Sequence, residues 1–250
     1  FISFFSDSNK SYESIVKLGY RSTTGDAEGE LFQTTLVGID ARGLDTVVKA
    51  FTGSGDQTPP MYSAIKVDGK PLYKLAREGK TIPRAKRRIM IHSLFIVKKA
   101  DDELRLSVRC SKGTYIRVLA EDIAVWLGTD GYLTSLRRTG LGDISVSSGI
   151  TLEKIEDLSL DLRLKLLKNI DFSLSHLPRV SLNQNDEPRF TNGIEVENLD
   201  NVSVSGAVAV YTHDRIFVGL ADLTDTGLLK PKRLMSQEYI AASRNTPIVN

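Results

Sequence analysis

Alternation of polar and apolar residues, with a period of two, predicts several β-strands along the chain. From residue 11 to 18, the side chains of Tyr12, Val16 and Leu18 fall on one side of an extended backbone. Such a pattern predicts a strand that turns one face toward a core. The strands predicted in this way lie at 11–18, 89–98, 104–110, 207–211 and 216–220.

Apolar residues three or four positions apart predict helices between these strands. The clearest case begins near Tyr115, carries Ile116, Leu119, Ile123 and Leu127 on one stripe, and ends at Gly128. Asp40 is the predicted N-cap of an earlier helix, and Pro71 is predicted at the first helical position of a short one. The predicted helical segments run from Asp40 to Gly53, from Pro71 to Gly79, from Tyr115 to Gly128 and through 151–169.

These elements predict an α+β fold with a mixed, largely antiparallel sheet, helices and a small C-terminal β barrel. A length of 250 residues fits one large domain or two smaller ones, at about 150 residues each. We place the boundary near 172–178, which gives domains at 1–175 and 178–250. With 41% hydrophobic and 26% charged residues, the composition is that of a soluble globular protein. No apolar run reaches the roughly 18 residues of a membrane span.

The charge is concentrated in the middle of the chain. Residues 61–120 hold 15 Lys and Arg but only 5 Asp and Glu. Tyr62 and Tyr73 are interleaved with the basic residues, a combination that suits phosphate neutralisation with stacking on bases. A solvated helix face is the alternative, and the pattern alone leaves both readings open. The basic residues of interest are Lys66, Lys70, Arg77 and Arg84.

The sequence gives little indication of a metal site or of a nucleophilic cysteine. His92, His176 and His213 are far from one another and from Cys110 along the chain, and no Cys/His spacing matches a zinc site. Cys110 continues the apolar alternation of its strand, so we expect it in the core. A single cysteine also indicates a reducing compartment, and we expect a cytoplasmic protein without a bound metal or cofactor.

The junction from Cys110 to Arg117 is the most informative segment. There a strand ends, Gly113 makes a turn and a helix begins, so free backbone N–H groups meet two functional side chains at a sheet edge. Arg117 in a first helical turn is unfavourable with the helix dipole, which indicates a carboxylate or phosphate partner. The alternative is a Tyr115 that covers the core and a solvated Arg117.

Lys112–Arg117 resembles a motif of the TruB family of tRNA pseudouridine synthases, which convert the T-loop uridine at tRNA position 55 to pseudouridine. Four further blocks resemble family segments, and the match runs in the family's order from about residue 8 to 235. Several blocks in the right order are more specific than any one block. The block with Lys66 resembles an RNA-gripping insertion called the thumb, at about 56–88. The blocks are Asn9–Glu13, Leu18–Gly29, Pro60–Gly79 and Leu136–Thr139.

The resemblance implies a role for each matching residue. Tyr12 would stack on a flipped uracil, and Tyr115 would contact it and assist proton removal. Arg117 would pair with a catalytic aspartate, and Leu136 would wall the pocket. Asp26 matches an acidic loop residue near the bound RNA, although a turn-forming Asp explains it equally well. The implied partner is the T arm of tRNA, bound by a monomer without membrane contact, and residues 178–250 would be a PUA-like RNA-binding domain.

One element of the family pattern is missing. The catalytic Asp lies in a Gly-x-x-Asp-Pro-x-x-x-Gly motif upstream of the Lys-x-Tyr strand, and this sequence contains no Asp-Pro pair. Asp7 occupies that region without the motif. Because the chain begins with Phe1 rather than Met, we expect a shortened chain. The competing hypothesis is a non-catalytic relative that binds or folds tRNA.

Overall fold

The computed structural model describes residues 1–35, 38, 41–198 and 205–245. They form two compact units, one of residues 6–149 and one that joins residues 1–5 with the chain from Ile150 onward. The predicted domains 1–175 and 178–250 stay a prediction. No helix of the described residues has the length and apolarity needed to cross a membrane.

The larger unit is built on a six-stranded antiparallel sheet. The short helix α1 (Ile2–Ser6) belongs, except for Ser6, to the smaller unit. The elements of the larger unit follow in chain order: β1 (Lys10–Leu18), β2 (Tyr20–Ser22), β3 (Leu31–Gln33), α2 (Ala41–Phe51), β4 (Gly53–Gln57), β5 (Lys66–Val67), β6 (Lys70–Pro71), α3 (Leu72–Arg77), β7 (Arg87–Ala100), β8 (Glu103–Cys110), α4 (Ile116–Trp126), β9 (Gly131–Leu141) and β10 (Ile144–Ser145). The strand order in the sheet is β10-β9-β1-β8-β7-β4. β1 therefore lies in the interior of the sheet, between β8 and β9.

The core of this unit lies on one face of the sheet. Val16, Leu106 and Val108 point to that face from β1 and β8, and Ile116, Leu119 and Ile123 of α4 pack in the same buried cluster. The apolar stripe of α4 supplies this contact, as its spacing predicts. Burial of each large aliphatic side chain stabilises the unit by about 1.5–3 kcal/mol.

The smaller unit carries a five-stranded sheet of order β11-β13-β14-β15-β12, with β11 parallel to β13 and the other neighbours antiparallel. Phe190 is fully buried in its core, with Val210 and Val218. The elements are α5 (Leu152–Glu156), α6 (Leu160–Lys165), β11 (Arg179–Ser181), α7 (Asp186–Thr191), β12 (Val196–Glu197), β13 (Gly206–Tyr211), β14 (Phe217–Leu223), β15 (Leu228–Leu234) and α8 (Gln237–Asn245).

The predicted α+β class and the predicted strands are confirmed, with boundaries that differ by a few residues. The short helix was expected to include Pro71, but it begins at Leu72, because Pro71 lies in the strand β6 at an extended ψ of 141°. The helical stretch 151–169 forms two short helices instead of one. The predicted N-cap Asp40 lies outside the described residues. Gly53 does follow the end of α2, with a φ of 104°.

Candidate functional site

Arg117 joins three segments of the larger unit through its guanidinium group. Nη1 donates to Oδ2 of Asp26 at 2.8 Å and to the carbonyl oxygen of Thr24 at 3.0 Å, and Nη2 donates to the carbonyl oxygen of Tyr62 at 2.6 Å. The side chains of Arg117 and Asp26 are 22% and 27% exposed. Because three bonds fix a planar group, the orientation of Arg117 is set before any ligand arrives.

Asp26 both forms a turn and pairs with Arg117. Its Oδ1 accepts a hydrogen bond from Oγ1 of Thr24 at 2.6 Å and another from the backbone N–H of Glu28 at 3.2 Å. Its other oxygen, Oδ2, binds Arg117. The turn-forming reading of Asp26 is therefore correct, and its second oxygen has a further partner in Arg117. The position of Asp26 near bound RNA stays a prediction. The solvated alternative for Arg117 is wrong.

Tyr115 is held at the start of α4 by a side chain that the sequence reasoning missed. The backbone N–H of Tyr115 donates to Oε1 of Gln57 at 2.7 Å, and Nε2 of Gln57 donates to the carbonyl oxygen of Tyr115 at 3.1 Å. Gln57 is only 4% exposed, and Tyr115 provides no side-chain cap for the helix. The buried amide of Gln57 thus fixes the backbone that carries Tyr115. Gln57 was missed because β4, with two glycines and an aspartate, has no apolar alternation.

Tyr12 and Leu136 lie on the same side of the paired strands β1 and β9. Tyr12 is opposite Arg138, and Ser14, two residues along β1, is opposite Leu136. Tyr12 is partly buried against the core, and this burial raises the pKa of its hydroxyl, while the positive charge of the nearby Arg138 opposes the rise. Leu136 is 48% exposed, so the space beside it is open to a ligand.

A cavity of about 660 Å³ lies between α4 and the segment 58–84. Glu121, one helical turn after Arg117, lines it together with Asp122 and Arg84. Burial raises the pKa of the Glu121 carboxyl, and repulsion from Asp122 adds to the rise, whereas Arg117 and Arg21 oppose it. The carboxyl also lies close to Gly25, where a Cβ atom would come within 2.6 Å of Oε1. The positive φ of 78° at Gly25 likewise favours glycine.

The predicted basic residues of the segment 56–88 occupy two different environments. Lys66 and Lys70 are exposed on a two-stranded hairpin, β5 with β6. Arg77 is also exposed, and its guanidinium lies 5.6 Å from the ring centre of Tyr73. Arg84 is instead half-buried and donates to the carbonyl oxygen of Pro59 at 3.1 Å. Lys66, Lys70 and Arg77 are thus accessible to a phosphate, while Arg84 joins the two ends of the segment.

Cys110 is buried, as expected, and burial raises the pKa of its thiol. His213, which the sequence places far from the other histidines and from Cys110, lies near the carboxylates of Glu187 and Asp214. The two carboxylates of this group already form ion pairs with Arg244. The positive charge of Arg244 therefore already balances the two carboxylates that a metal ion would need as ligands.

Comparisons with known proteins give the chain its family. Residues 1–116 match the family model described as "TruB family pseudouridylate synthase (N terminal domain)", and residues 178–235 match "Pseudouridine synthase II TruB, C-terminal". Proteins named tRNA pseudouridine synthase B are similar over most of this chain. The one from Aromatoleum aromaticum is 41% identical, with 92% of this chain and 74% of the relative covered. The one from Pseudomonas putida is 38% identical, with 95% and 79% covered.

A solved structure shares the fold at much lower sequence identity. The structure described as a Cbf5-Nop10-Gar1 complex superposes with a TM-score of 0.71 at 19% identity, covering 95% of this chain and 70% of that chain. A similarity of this kind supports the fold alone. The matched family models and the relatives near 40% identity establish more: this chain belongs to the TruB family of pseudouridine synthases.

Proposed function

We propose that the protein is a tRNA pseudouridine synthase that isomerises the T-loop uridine at position 55. The observation that carries this function is the extended similarity, 41% identity across 92% of the chain, to a protein named tRNA pseudouridine synthase B. The exposed cations of the segment 56–88 and the fixed Arg117 are consistent with an RNA substrate. Fold similarity alone would not assign an activity.

In the proposed reaction, the target nucleotide leaves the stack so that both faces of its base become accessible. The bond from C1′ of the ribose to N1 of uracil breaks, the base turns, and a bond from C1′ to C5 forms. The proton on C5 must then leave, and N1, which has lost its bond to the ribose, takes up a proton from solvent. We assign stacking on the base to Tyr12, assistance in proton removal to Tyr115, and the pocket wall to Leu136.

Arg117 is the proposed partner of the nucleophilic aspartate. In the structure its carboxylate partner is Asp26, but a guanidinium carries five N–H groups, and three bonds from Nη1 and Nη2 account for only part of them. The sequence has no Asp-Pro pair, and the chain spans about three quarters of the length of the relatives it matches. The pairing of Arg117 with a nucleophile therefore stays a proposal.

The thumb and the C-terminal sheet are the proposed tRNA-binding parts. Lys66, Lys70 and Arg77 would contact phosphates of the T arm, because all three are exposed. The five-stranded sheet of the smaller unit would be a PUA-like domain that contacts the acceptor side of the tRNA. The family model that matches residues 178–235 supports a C-terminal family domain there.

The experiment that tests the activity is release of tritium from tRNA labelled at C5 of uridine, with protein expressed from the complete reading frame. We expect release from one T-loop position. Tyr115→Phe should abolish release, because it removes the hydroxyl that is assigned to proton removal. The affinity for tRNA should stay within several-fold, because the bonds from Gln57 reach only the backbone of Tyr115 and the substitution therefore leaves the site in place. Binding without any release by the unmodified protein would instead support the non-catalytic hypothesis.

A further inference from the structure

Three cations gather at the beginning of β1, next to Tyr12. Lys10, Lys112 and Arg138 lie close enough for their charges to interact, and Asp7 is the carboxylate among them. Asp7 forms an ion pair with Lys112, with a distance of 2.7 Å from Nζ to Oδ2. Within the part of the chain that the structure describes, Lys10 and Arg138 have no ion pair with a carboxylate.

Lys10 is held in place although its charge is unfavourable there. Its Nζ donates to the carbonyl oxygens of Ser6 at 2.7 Å and Ser8 at 2.9 Å. Partial burial lowers the pKa of the Lys10 ammonium, and repulsion from Arg138 is the next cause. An ammonium has three N–H donors, so two carbonyl oxygens leave one for a ligand. A bound anion would relieve the repulsion between the two cations.

Arg138 connects this cluster to the proposed base-binding site. It is opposite Tyr12 in the strand pair, and its charge acts on the Tyr12 hydroxyl. Arg138 is exposed, and its guanidinium offers N–H donors in a planar fork that matches phosphate geometry. An anion bound between Lys10 and Arg138 would therefore lie beside the ring of Tyr12.

We propose that Lys10 and Arg138 form a binding site for a backbone phosphate of the RNA, one that directly flanks the flipped uridine. The proposal rests on the proposed function, because it takes Tyr12 as the residue that stacks on the base. Each base in RNA is flanked by two phosphates, so a base stacked on Tyr12 brings a phosphodiester to these cations. Lys10 and Arg138 are positioning residues, since they hold the backbone while other groups carry out the chemistry.

The test neutralises single phosphates in a synthetic T-arm hairpin. Methylphosphonate replaces the phosphate on the 5′ side of the target uridine, the one on the 3′ side, or a phosphate in the distal stem. Binding is measured for the unmodified protein and for Arg138→Gln, Lys10→Met and Arg137→Gln. Arg137 is the matched control: it is the neighbouring arginine on β9, is opposite Glu13, and points to the other side of the strand.

On the unmodified hairpin, Arg138→Gln should weaken binding about 10-fold or more, the usual value of a charge-assisted hydrogen bond. Its salt dependence should also fall by about one ion. With methylphosphonate at one flanking position, the loss from Arg138→Gln or Lys10→Met should largely disappear. The effect of Arg137→Gln on binding should be the same with and without methylphosphonate at the flanking position. The methylphosphonate in the distal stem should leave the effects of Arg138→Gln and Lys10→Met unchanged.

Two outcomes would overturn the proposal. If Arg138→Gln loses affinity equally on every hairpin, and Tyr12→Phe reproduces that loss, Arg138 only holds the Tyr12 hydroxyl. If neither variant weakens binding, the cations hold no phosphate. Failure of the proposed isomerase function can be told apart from failure of the phosphate site. In that case the unmodified protein would release no tritium, whatever the binding results with methylphosphonate hairpins.

Discussion

Replacing Asp26 with Asn tests whether the ion pair with Arg117 fixes the site. Asn keeps an oxygen that can accept from Oγ1 of Thr24 and from the Glu28 N–H, so the turn can persist. The change removes the negative charge and the acceptor oxygen that face Arg117 at 2.8 Å and puts an amide N–H donor in their place. Exposed ion pairs contribute about 0–1 kcal/mol, and loss of one partner of a buried pair costs about 3–5 kcal/mol.

Because both side chains are about one quarter exposed, we expect an intermediate loss, about 2 kcal/mol in the free energy of unfolding. Trp126, the single tryptophan, ends α4, so its fluorescence during urea unfolding reports on the larger unit. Glu28→Gln is the matched control, since Glu28 is exposed in the same loop. Equal stability of Asp26→Asn and Glu28→Gln would refute the reasoning.

Three further outcomes follow from the site. Gln57→Ala should cost about 1–3 kcal/mol, because it leaves the backbone N–H of Tyr115 unpaired, while the Tyr115 carbonyl oxygen still accepts from the Leu119 N–H; a loss below about 0.5 kcal/mol in the same urea assay would contradict this. Burial raises the pKa of Glu121 above its ordinary 4.5, so the folded state binds that proton more tightly and its stability falls as pH rises above about 4.5. Glu121→Gln should therefore be more stable than the unmodified protein at pH 7 but not at pH 4, and parallel pH profiles would argue against a raised pKa. Lys66→Gln or Lys70→Gln should weaken tRNA binding and reduce its salt dependence by about one ion each, and an unchanged slope would exclude a phosphate contact.

Regular periodicity made the core elements predictable. The alternation from Tyr12 to Leu18 and the stripe from Ile116 to Ile123 each indicate one buried face, and both faces are buried in the structure. β9 was missed although it pairs along the whole of β1. Its residues Thr134 to Arg138 are all exposed, and register shifts interrupt the pairing with β1, so no period of two marks it.

The candidate site was predictable only in part, because its geometry depends on contacts distant in sequence. The unfavourable place of Arg117 at a helix start indicated an anionic partner, and Asp26, 91 residues earlier, provides it. Nothing in the local sequence indicates that Thr24 and Tyr62 supply backbone oxygens to the same guanidinium. The cluster of Lys10 and Arg138 likewise depends on the register of β1 with β9.

The most direct test of the assigned function is the position and amount of tritium released from tRNA labelled at C5 of uridine, measured with protein from the complete reading frame. Isomerisation predicts one equivalent of tritium per tRNA from the T-loop uridine at position 55, and none from a tRNA in which another base replaces that uridine. Tight binding of tRNA with release no greater than that of a protein-free control would contradict the account.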